Sequence, residues 1–407
     1  MRHTDIAIVG GGLAGSVLAA MLGRTGVDVV LVDPHPVYPP DFRCEKLDGP
    51  QVGILEKTGL AGAVLRAATH DRQSWVSRLG RVVEKRPGDQ HGIRYDTLVN
   101  TVRAEIPGNV TFIPAKAHDI STGNDQQIVT LSNGWQISAR LVVLANGLNI
   151  GIRHKLGMTR DMLSECHSIS IGFDVKPVER PKFSFPALTH YSESPAARLA
   201  LLTLFPIGAA MRANLFAYRT MDDPWLREFR QAPQQTLFAA MPGLRKLMGD
   251  FEVIDRIQMR PVDLYATKGH RQPGVALIGD AFGTSCPAAG TGARKALNDA
   301  ERLCNIHIPH WLATSGMDTE KIAAFYDDPV KKACDEHSLA KAYELRSFTV
   351  DPALNWAARR WIKFSGQLAR GSLRQAQSRL AWPSLVCPPG RYWLHGCEAF
   401  RRAGDAF

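Results

Sequence analysis

A glycine-rich turn between a buried strand and a helix constrains the fold of this chain more than any other feature. Residues Asp5–Val9 form a short, almost continuous apolar run, as in a parallel strand that is buried on both faces. The run leads into Gly10-Gly11-Gly12-Leu13-Ala14-Gly15, which satisfies G-x-G-x-x-G, and residues 16–24 have helical spacing. A second strand, Val27–Val32, ends at Asp33. This order predicts a βαβ unit.

Each glycine of the turn has its own physical role in binding a dinucleotide. Gly10 permits the tight turn, Gly12 lets the backbone approach a pyrophosphate, and Gly15 lets the helix and strand pack closely. The helix N-terminus offers unpaired N–H groups and a partial positive charge to the phosphates. Asp33 lies where a carboxylate accepts hydrogen bonds from ribose hydroxyls, and it would repel the 2′-phosphate of NADP.

Two later segments indicate which dinucleotide is bound. Residues 139–147 predict a buried strand followed by a turn. Residues Val275–Ile278 predict another strand, which ends at Gly279-Asp280, and a Pro- and Gly-rich stretch then leads into a helix over Ala293–Cys304. The strand-end carboxylate can bind a ribityl hydroxyl. The N–H groups of Gly290–Gly292 can face the pyrimidine edge of a flavin, where a helix N-terminus stabilises negative charge.

These motifs together resemble those of the FAD-dependent aromatic hydroxylases, the flavoprotein monooxygenases typified by para-hydroxybenzoate hydroxylase. The resemblance spans roughly residues 5–305, and its third motif is Gly279-Asp280 with a P-x-x-G-x-G tail. Arg43 is similar to a family arginine that reaches FAD, and Arg94 to an FAD-contacting arginine near a helix start. The resemblance implies that FAD binds to Gly10, Gly12, Leu13, Ala14, Gly15, Asp33, Arg43, Arg94, Asn146, Gly147, Gly279, Asp280, Pro287, Gly290, Thr291 and Gly292.

The second family motif departs from its usual form, D-G-x-x-S-x-x-R. Asn146 replaces the Asp and Ile150 replaces the Ser, while Gly147 and Arg153 remain. In the family this motif serves both FAD and NAD(P)H, so the reductant is expected to be NADPH or NADH acting either directly or through a flavin reductase. Similar relaxed motifs occur in the flavin halogenase and geranylgeranyl-reductase-like branches.

The predicted fold is α/β, with a Rossmann-like FAD-binding domain of the glutathione-reductase type, an inserted antiparallel-sheet substrate domain and a helical C-terminal region. The boundaries expected are 1–70, 92–165 and 265–305 for the FAD-binding domain, 71–91 and 166–264 for the substrate domain, and 306–407 for the helical region. An antiparallel sheet over a flavin would form the roof of a closed cavity. The candidates for the cavity lining are Phe183, Phe185, Tyr191, Phe205 and Met211. For any one of them, packing in the hydrophobic core is the more common role. His190 is a candidate base or substrate anchor.

The resemblance implies an FAD-dependent monooxygenase that hydroxylates an electron-rich, aromatic small molecule with O2 through a flavin C4a-hydroperoxide. Pro287 and the backbone of Gly290 and Gly292 would act at the flavin. An FADH2-dependent halogenase or a reductase-fed oxygenase is the alternative, although the W-x-W-x-I-P motif of tryptophan halogenases does not occur. A non-redox FAD-binding protein is the alternative from another class.

The net charge of +10 is partly concentrated near the C-terminus. A solvated basic helical face is the preferred interpretation, and contact with an anionic partner or a membrane surface is the less favoured one. No nucleic-acid-binding motif accompanies the charge. The longest apolar run, Val17–Leu22, is too short to cross a bilayer, and no leader is recognised, so a cytoplasmic protein is expected. The seven cysteines include no CxxC pair, and no metal site is expected.

Overall fold

The computed structural model describes residues 1–380, whose strands form two large sheets and one small one. The strands are β1 (Arg2–Val9), β2 (Val29–Val32), β3 (Lys46–Leu47), β4 (Thr69–His70), β5 (Gln73–Arg78), β6 (Arg81–Pro87), β7 (His91–Gly92), β8 (Thr111–Ile113), β9 (Ala117–Ser121), β10 (Gln127–Leu131), β11 (Gln136–Leu144), β12 (Thr159–Pro177), β13 (Ala187–Tyr191), β14 (Leu199–Ile207), β15 (Ala210–Ala217), β16 (Phe251–Val253), β17 (Gln258–Lys268) and β18 (Val275–Leu277). The helices are α1 (Leu13–Arg24), α2 (Gly49–Lys57), α3 (Ala61–Ala67), α4 (Tyr95–Ala104), α5 (Gly151–Lys155), α6 (Pro224–Gln231), α7 (Pro233–Ala240), α8 (Arg245–Met248), α9 (Gly292–Arg302), α10 (Ile308–Leu312), α11 (Thr319–Tyr326), α12 (Pro329–Val350) and α13 (Leu354–Leu380).

The first sheet has the order β8-β2-β1-β11-β10-β9, with β18 beside β11. Strands β1, β2, β8, β11 and β18 run parallel, so their carboxyl ends meet at one edge. Strand β2 is buried throughout because helices cover one face and a second apolar cluster covers the other. The βαβ unit predicted from the glycine turn is therefore confirmed, with β1 and β2 as direct neighbours.

The second sheet has the order β16-β12-β15-β14-β13-β5-β6, with β17 beside β12. Its two faces differ because side chains alternate along each strand. The apolar face, which includes Ile171, Leu202 and Leu215, packs against α6, α7 and α8. The opposite face carries polar side chains such as Thr203 and Asn214, and it faces the carboxyl edge of the first sheet across a cavity. The predicted antiparallel sheet is thus present, with one parallel pair between β13 and β5.

The strands of the second sheet run past two of the predicted domain boundaries. Strand β12 already begins at Thr159, and β17 continues to Lys268. Between 306 and 380 every regular element is helical, as predicted, and a π-helical turn at Leu303–His307 joins α9 to α10. The predicted continuation over 381–407 lies outside the described residues. In the part of the chain that the structure describes, no helix is both long and apolar enough to cross a bilayer.

Candidate active site

A cavity of about 550 Å³ lies between the carboxyl edge of the first sheet and the polar face of the second. This volume lies within the usual range for small-molecule and cofactor sites. The structure brings together most of the residues predicted to bind a cofactor, although they are spread over almost 300 positions. Those that line the cavity are Gly10, Gly12, Leu13, Ala14, Asp33, Arg43, Asn146, Gly147, Gly279, Asp280, Pro287, Gly290 and Gly292.

The glycine turn has the geometry expected of a phosphate-binding cradle. Gly10 has φ +108, a conformation that favours glycine. A Cβ on Gly15 would lie 2.0 Å from the carbonyl oxygen of Gly10, so Gly15 lies beneath the turn and allows close packing rather than lining the cavity. A Cβ on Gly12 would meet nothing closer than the Tyr95 hydroxyl at 3.8 Å. The space above Gly12 and the N-terminus of α1 is therefore open to an anionic ligand.

Three partners hold the Asp33 carboxylate at the end of β2, and one of them, the His35 N–H, donates to Oδ1 at 2.9 Å. The Gly11 N–H donates to its Oδ2 at 2.7 Å, and Arg103 Nη2 lies 3.3 Å from its Oδ1. Arg103 also donates from Nε to the Gly11 carbonyl at 2.9 Å, which ties the carboxylate to the turn. Sequence reasoning missed Arg103, because it lies at the end of α4, far along the chain, and no local spacing connects it to the turn.

Arg43 and Asp280, 237 positions apart, form an ion pair of 2.8 Å at the cavity. Arg43 also contacts Asp41 at 2.7 Å, and Arg260 of β17 contacts the other Asp41 oxygen at 2.8 Å. Burial alone would raise the pKa of Asp41, but Arg43 and Arg260 together hold that pKa below its usual value. These four side chains connect the two sheets along one wall of the cavity.

Arg94 does not line the cavity, contrary to the prediction. Its guanidinium donates to Glu45 at 3.1 Å and to Asp174, and these carboxylates are buried. The fully buried Arg212 contacts the same pair, at 2.7 Å to Glu45 and 3.3 Å to Asp174. Arg94 is thus committed to a four-member ion cluster between the sheets, and only Glu45 of that cluster reaches the cavity.

The loop before α9 presents both backbone groups and a side-chain hydroxyl to the cavity. Gly290 adopts φ +69, and its carbonyl accepts a hydrogen bond from Gln51 Nε2 at 2.9 Å. Thr291 does not line the cavity, because its hydroxyl lies 2.6 Å from that of Ser338 on α12. Ser285, which does line the cavity, has a buried hydroxyl without a hydrogen-bond partner in the described chain.

The altered second motif is also at the cavity. Asn146 and Gly147 line it, and the Asn146 Oδ1 is buried without a partner within the described residues. Arg153 is fully buried, and its Nη2 donates to the carbonyls of Gly147 and Asn149 at 3.0 Å each. The motif arginine therefore holds the loop in shape and is not accessible to a second ligand.

The prediction that His190 acts as a base or anchor is not supported by its position. Thr189 and Tyr191 line the cavity, so His190 between them points to the other face of β13. Its Nδ1 lies 2.8 Å from the Ser77 hydroxyl and its Nε2 3.1 Å from Glu193 Oε1. Both ring nitrogens are therefore engaged in a buried structural contact.

The lining contributed by the second sheet follows strand alternation. Tyr191 and Phe205 line the cavity, as predicted for these two candidates, whereas Phe183, Phe185 and Met211 pack with the apolar face. The same alternation of side chains places in the lining six residues that sequence reasoning missed: Ser170, Thr189, Leu201, Thr203, Asn214 and Phe216. The Ser170 hydroxyl is buried and without a partner in the described residues. Continuing the alternation from Tyr191 and Phe205 would have found Thr189 and Thr203.

The residues present fit FAD along the whole cavity. An open cradle at the N-terminus of α1 suits a pyrophosphate, and Asp33 suits a ribose. At the other end, the start of α9 and the unpaired Ser285 hydroxyl suit the polar edge of a flavin. The cofactor that this donor set favours is FAD.

Comparison with known proteins agrees with this geometry. A family model described as "FAD binding domain" matches residues 3–308. The 3-demethoxyubiquinol 3-hydroxylase of Escherichia coli K12 is 26% identical over 332 residues, which cover 75% of this chain and 80% of that protein. A salicylate hydroxylase of Pseudomonas putida is 24% identical over 334 residues, covering 74% and 76% of the two chains.

Solved structures show the same fold. The crystal structure of p-nitrophenol 4-monooxygenase PnpA from Pseudomonas putida DLL-E4 superposes with a TM-score of 0.72, at 18% identity, over 93% of this chain and 97% of the other. The flavin-dependent brominase Bmp2 superposes with a TM-score of 0.69, also at 18% identity, over 93% of each chain. At these identities the likeness concerns the fold alone.

Proposed function

We propose, on the premise that this chain belongs to the FAD-binding domain family, that it is an FAD-dependent monooxygenase which hydroxylates an electron-rich aromatic small molecule with O2. One observation carries the proposal: a single cavity joins the glycine turn, the Asp280 strand end, the start of α9 and the polar face of the second sheet. A cofactor and a small substrate can therefore lie in direct contact. Relatives named 3-demethoxyubiquinol 3-hydroxylase and salicylate hydroxylase support an aromatic substrate.

The residues on the cofactor side of the cavity would bind and orient FAD. The α1 N-terminus would hold the pyrophosphate, Asp33 a ribose, and Asp280 the ribityl chain. Bound FAD supplies the activation of O2 and the transfer of oxygen. The backbone N–H groups at the start of α9, with Pro287 and Gly290 before them, would stabilise negative charge on the polar edge of the ring.

The residues of the sheet side would bind the substrate and exclude water. Phe205 and Phe216 offer aromatic surface, and the Ser170 hydroxyl, unpaired among the described residues, offers a hydrogen bond to a polar substituent. Water exclusion would matter because it protects the oxygen chemistry that bound FAD supplies from side reactions such as loss of the oxygen as H2O2. The sheet, closed on its far face by α6, α7 and α8, supplies that cover.

The source of electrons is the second part of the proposal. A typical member of the family takes a hydride from NADPH or NADH, but here Asn146 stands in the motif and Arg153 is fully buried against its own loop. This observation favours a reductase-fed enzyme, either an oxygenase or a halogenase, as the second candidate. The non-redox FAD-binding protein has no specific observation in its favour.

The experiment that separates these candidates starts from purified holoprotein under anaerobic conditions. Rapid bleaching of the flavin by NADPH or NADH would identify a self-sufficient hydroxylase, and bleaching only after addition of a flavin reductase would identify the reductase-fed enzyme. Reduced protein is then mixed with O2 and a panel of phenols, with and without bromide. Oxygen use that is never coupled to a hydroxylated or brominated product would refute the monooxygenase proposal.

A further inference from the structure

Helix α13 exposes large apolar side chains on one side. Relative exposure is 87% for Leu354, 61% for Trp361, 72% for Ile362 and 64% for Leu373. At about 100° per residue these four occupy an arc of about 120° of the helix surface, here called the apolar stripe. Among residues 354–373, the others within this arc are uncharged and mostly small: Asn355, Ala358, Ser365, Ala369 and Ser372.

A basic stripe lies directly beside the apolar stripe. Arg359, Lys363 and Arg370 are exposed and fall about 140–180° around the helix from Leu354. No Asp or Glu occurs between Asp351 and Glu398, so the charge of this segment is not neutralised within it. The helix thus presents adjoining apolar and cationic surfaces, the combination that is typical of helices lying in a membrane interface.

The orientation of these stripes is fixed by the docked side of α13. Gln367 is buried and accepts a hydrogen bond from Arg78 Nε at 2.6 Å. Arg360 donates to the Phe348 carbonyl at 3.1 Å. Gly371 lies so close to β6 that a Cβ there would be 2.0 Å from the Val83 carbonyl oxygen. These contacts hold the apolar stripe, on the opposite side of the helix, away from the second sheet, and the basic stripe lies between these two sides. Lys363 borders the docked side, with its Nζ 4.9 Å from the centre of the Phe348 ring.

We propose that α13 docks this protein onto the surface of an anionic lipid membrane. The apolar stripe would enter the boundary between head groups and acyl chains, and the basic stripe would lie at the level of the lipid phosphates. Charge favours this occupant over a second copy of the chain, because two basic stripes would repel each other. The proposal takes up contact with a membrane surface, which the sequence favoured less than a solvated basic face. The inference concerns location and does not depend on the proposed reaction.

The test is co-sedimentation of the full-length holoprotein with vesicles. Vesicles of phosphatidylglycerol and phosphatidylcholine should bind the protein, and vesicles of phosphatidylcholine alone should bind it much less. The triple variant Arg359→Gln/Lys363→Gln/Arg370→Gln should lower the partition coefficient by about 100-fold, as three cations near an anionic surface would predict. The variant Trp361→Ser/Ile362→Ser should also lose binding, with unchanged flavin absorbance as the check on folding.

A matched control removes the same charge elsewhere. Arg227→Gln/Arg230→Gln/Lys246→Gln changes three exposed cations on α6 and α8, and its partition coefficient should stay within about twofold of the native value. Brominated lipids should quench Trp361 fluorescence, and Trp361→Phe should remove that quenching while binding persists. The proposal is overturned if the native chain does not sediment, if neutral vesicles bind it equally, or if the control variant loses as much binding as the basic-stripe variant.

Discussion

Replacing Gly15 by alanine tests the link between the packing of α1 and cofactor binding. The new Cβ would lie 2.0 Å from the Gly10 carbonyl oxygen and 3.0 Å from the Ala145 Cβ. Because a carbon and a carbonyl oxygen normally stay about 3.3 Å apart, α1 must move by about 1 Å or more. Overpacking of this kind costs about 1–3 kcal/mol. The shift carries the phosphate-binding N–H groups with it, so we expect the Kd for FAD to rise about 10- to 100-fold.

The assay is titration of apoprotein with FAD, followed by flavin fluorescence, together with a thermal melt of each variant. Gly53→Ala is the matched control, because Gly53 lies within α2 and a Cβ there meets nothing within 4 Å. Alanine within a helix is favoured over glycine by about 0.5–1 kcal/mol. Gly53→Ala should therefore keep the native Kd and melt slightly higher. Native FAD affinity in Gly15→Ala, or equal loss in both variants, would refute the reasoning.

Two further predictions concern buried charge. Lys331 is fully buried and 2.8 Å from Asp299, whose pKa is raised by burial, so Lys331→Met should lower the free energy of unfolding by about 3–5 kcal/mol. Denaturant titration should show part of this loss recovered by adding Asp299→Asn or by lowering the pH, and no recovery in either case would contradict it. Burial, with Arg346 nearby, lowers the pKa of His167 from 6.5 to about 4. The unfolded chain then takes up the proton first, so acidification from about pH 6.5 to 4 should cost up to about 3 kcal/mol, and His167→Gln should abolish that part of the acid sensitivity.

Sequence reasoning worked where the signal is local or where a motif is rigid. The βαβ unit, the strand at Val275–Ile278 and the helix that begins near Ala293 were predicted because turn chemistry and periodicity lie within a few residues of each element. Asp280 was identified for the same reason, as a strand-end carboxylate. Local structure of this kind can therefore be predicted largely from the residues that form it.

The misses arise from contacts between distant segments. Arg94 was predicted to reach the cofactor, but Glu45 and Asp174 bind its guanidinium in a cluster that forms only when the two sheets meet. The prediction for His190 has a simpler explanation. Neighbouring side chains of a strand point to opposite faces of the sheet, so an error of one residue puts the side chain on the wrong face. Arg103 could not be found at all, because its role at Asp33 depends on how α4 packs beside the turn.

One face of the second sheet stabilises the fold, and the other face determines which ligand the cavity accepts. Thr189, Thr203 and Asn214 touch the cavity, while their chain neighbours Leu202 and Leu215 belong to the apolar core. Exchanging side chains at the cavity positions reshapes the space offered to a ligand and leaves the core intact. The architecture can therefore be retargeted to new compounds by varying the cavity-lining residues of β13, β14 and β15, and a library confined to those residues should yield mostly folded proteins.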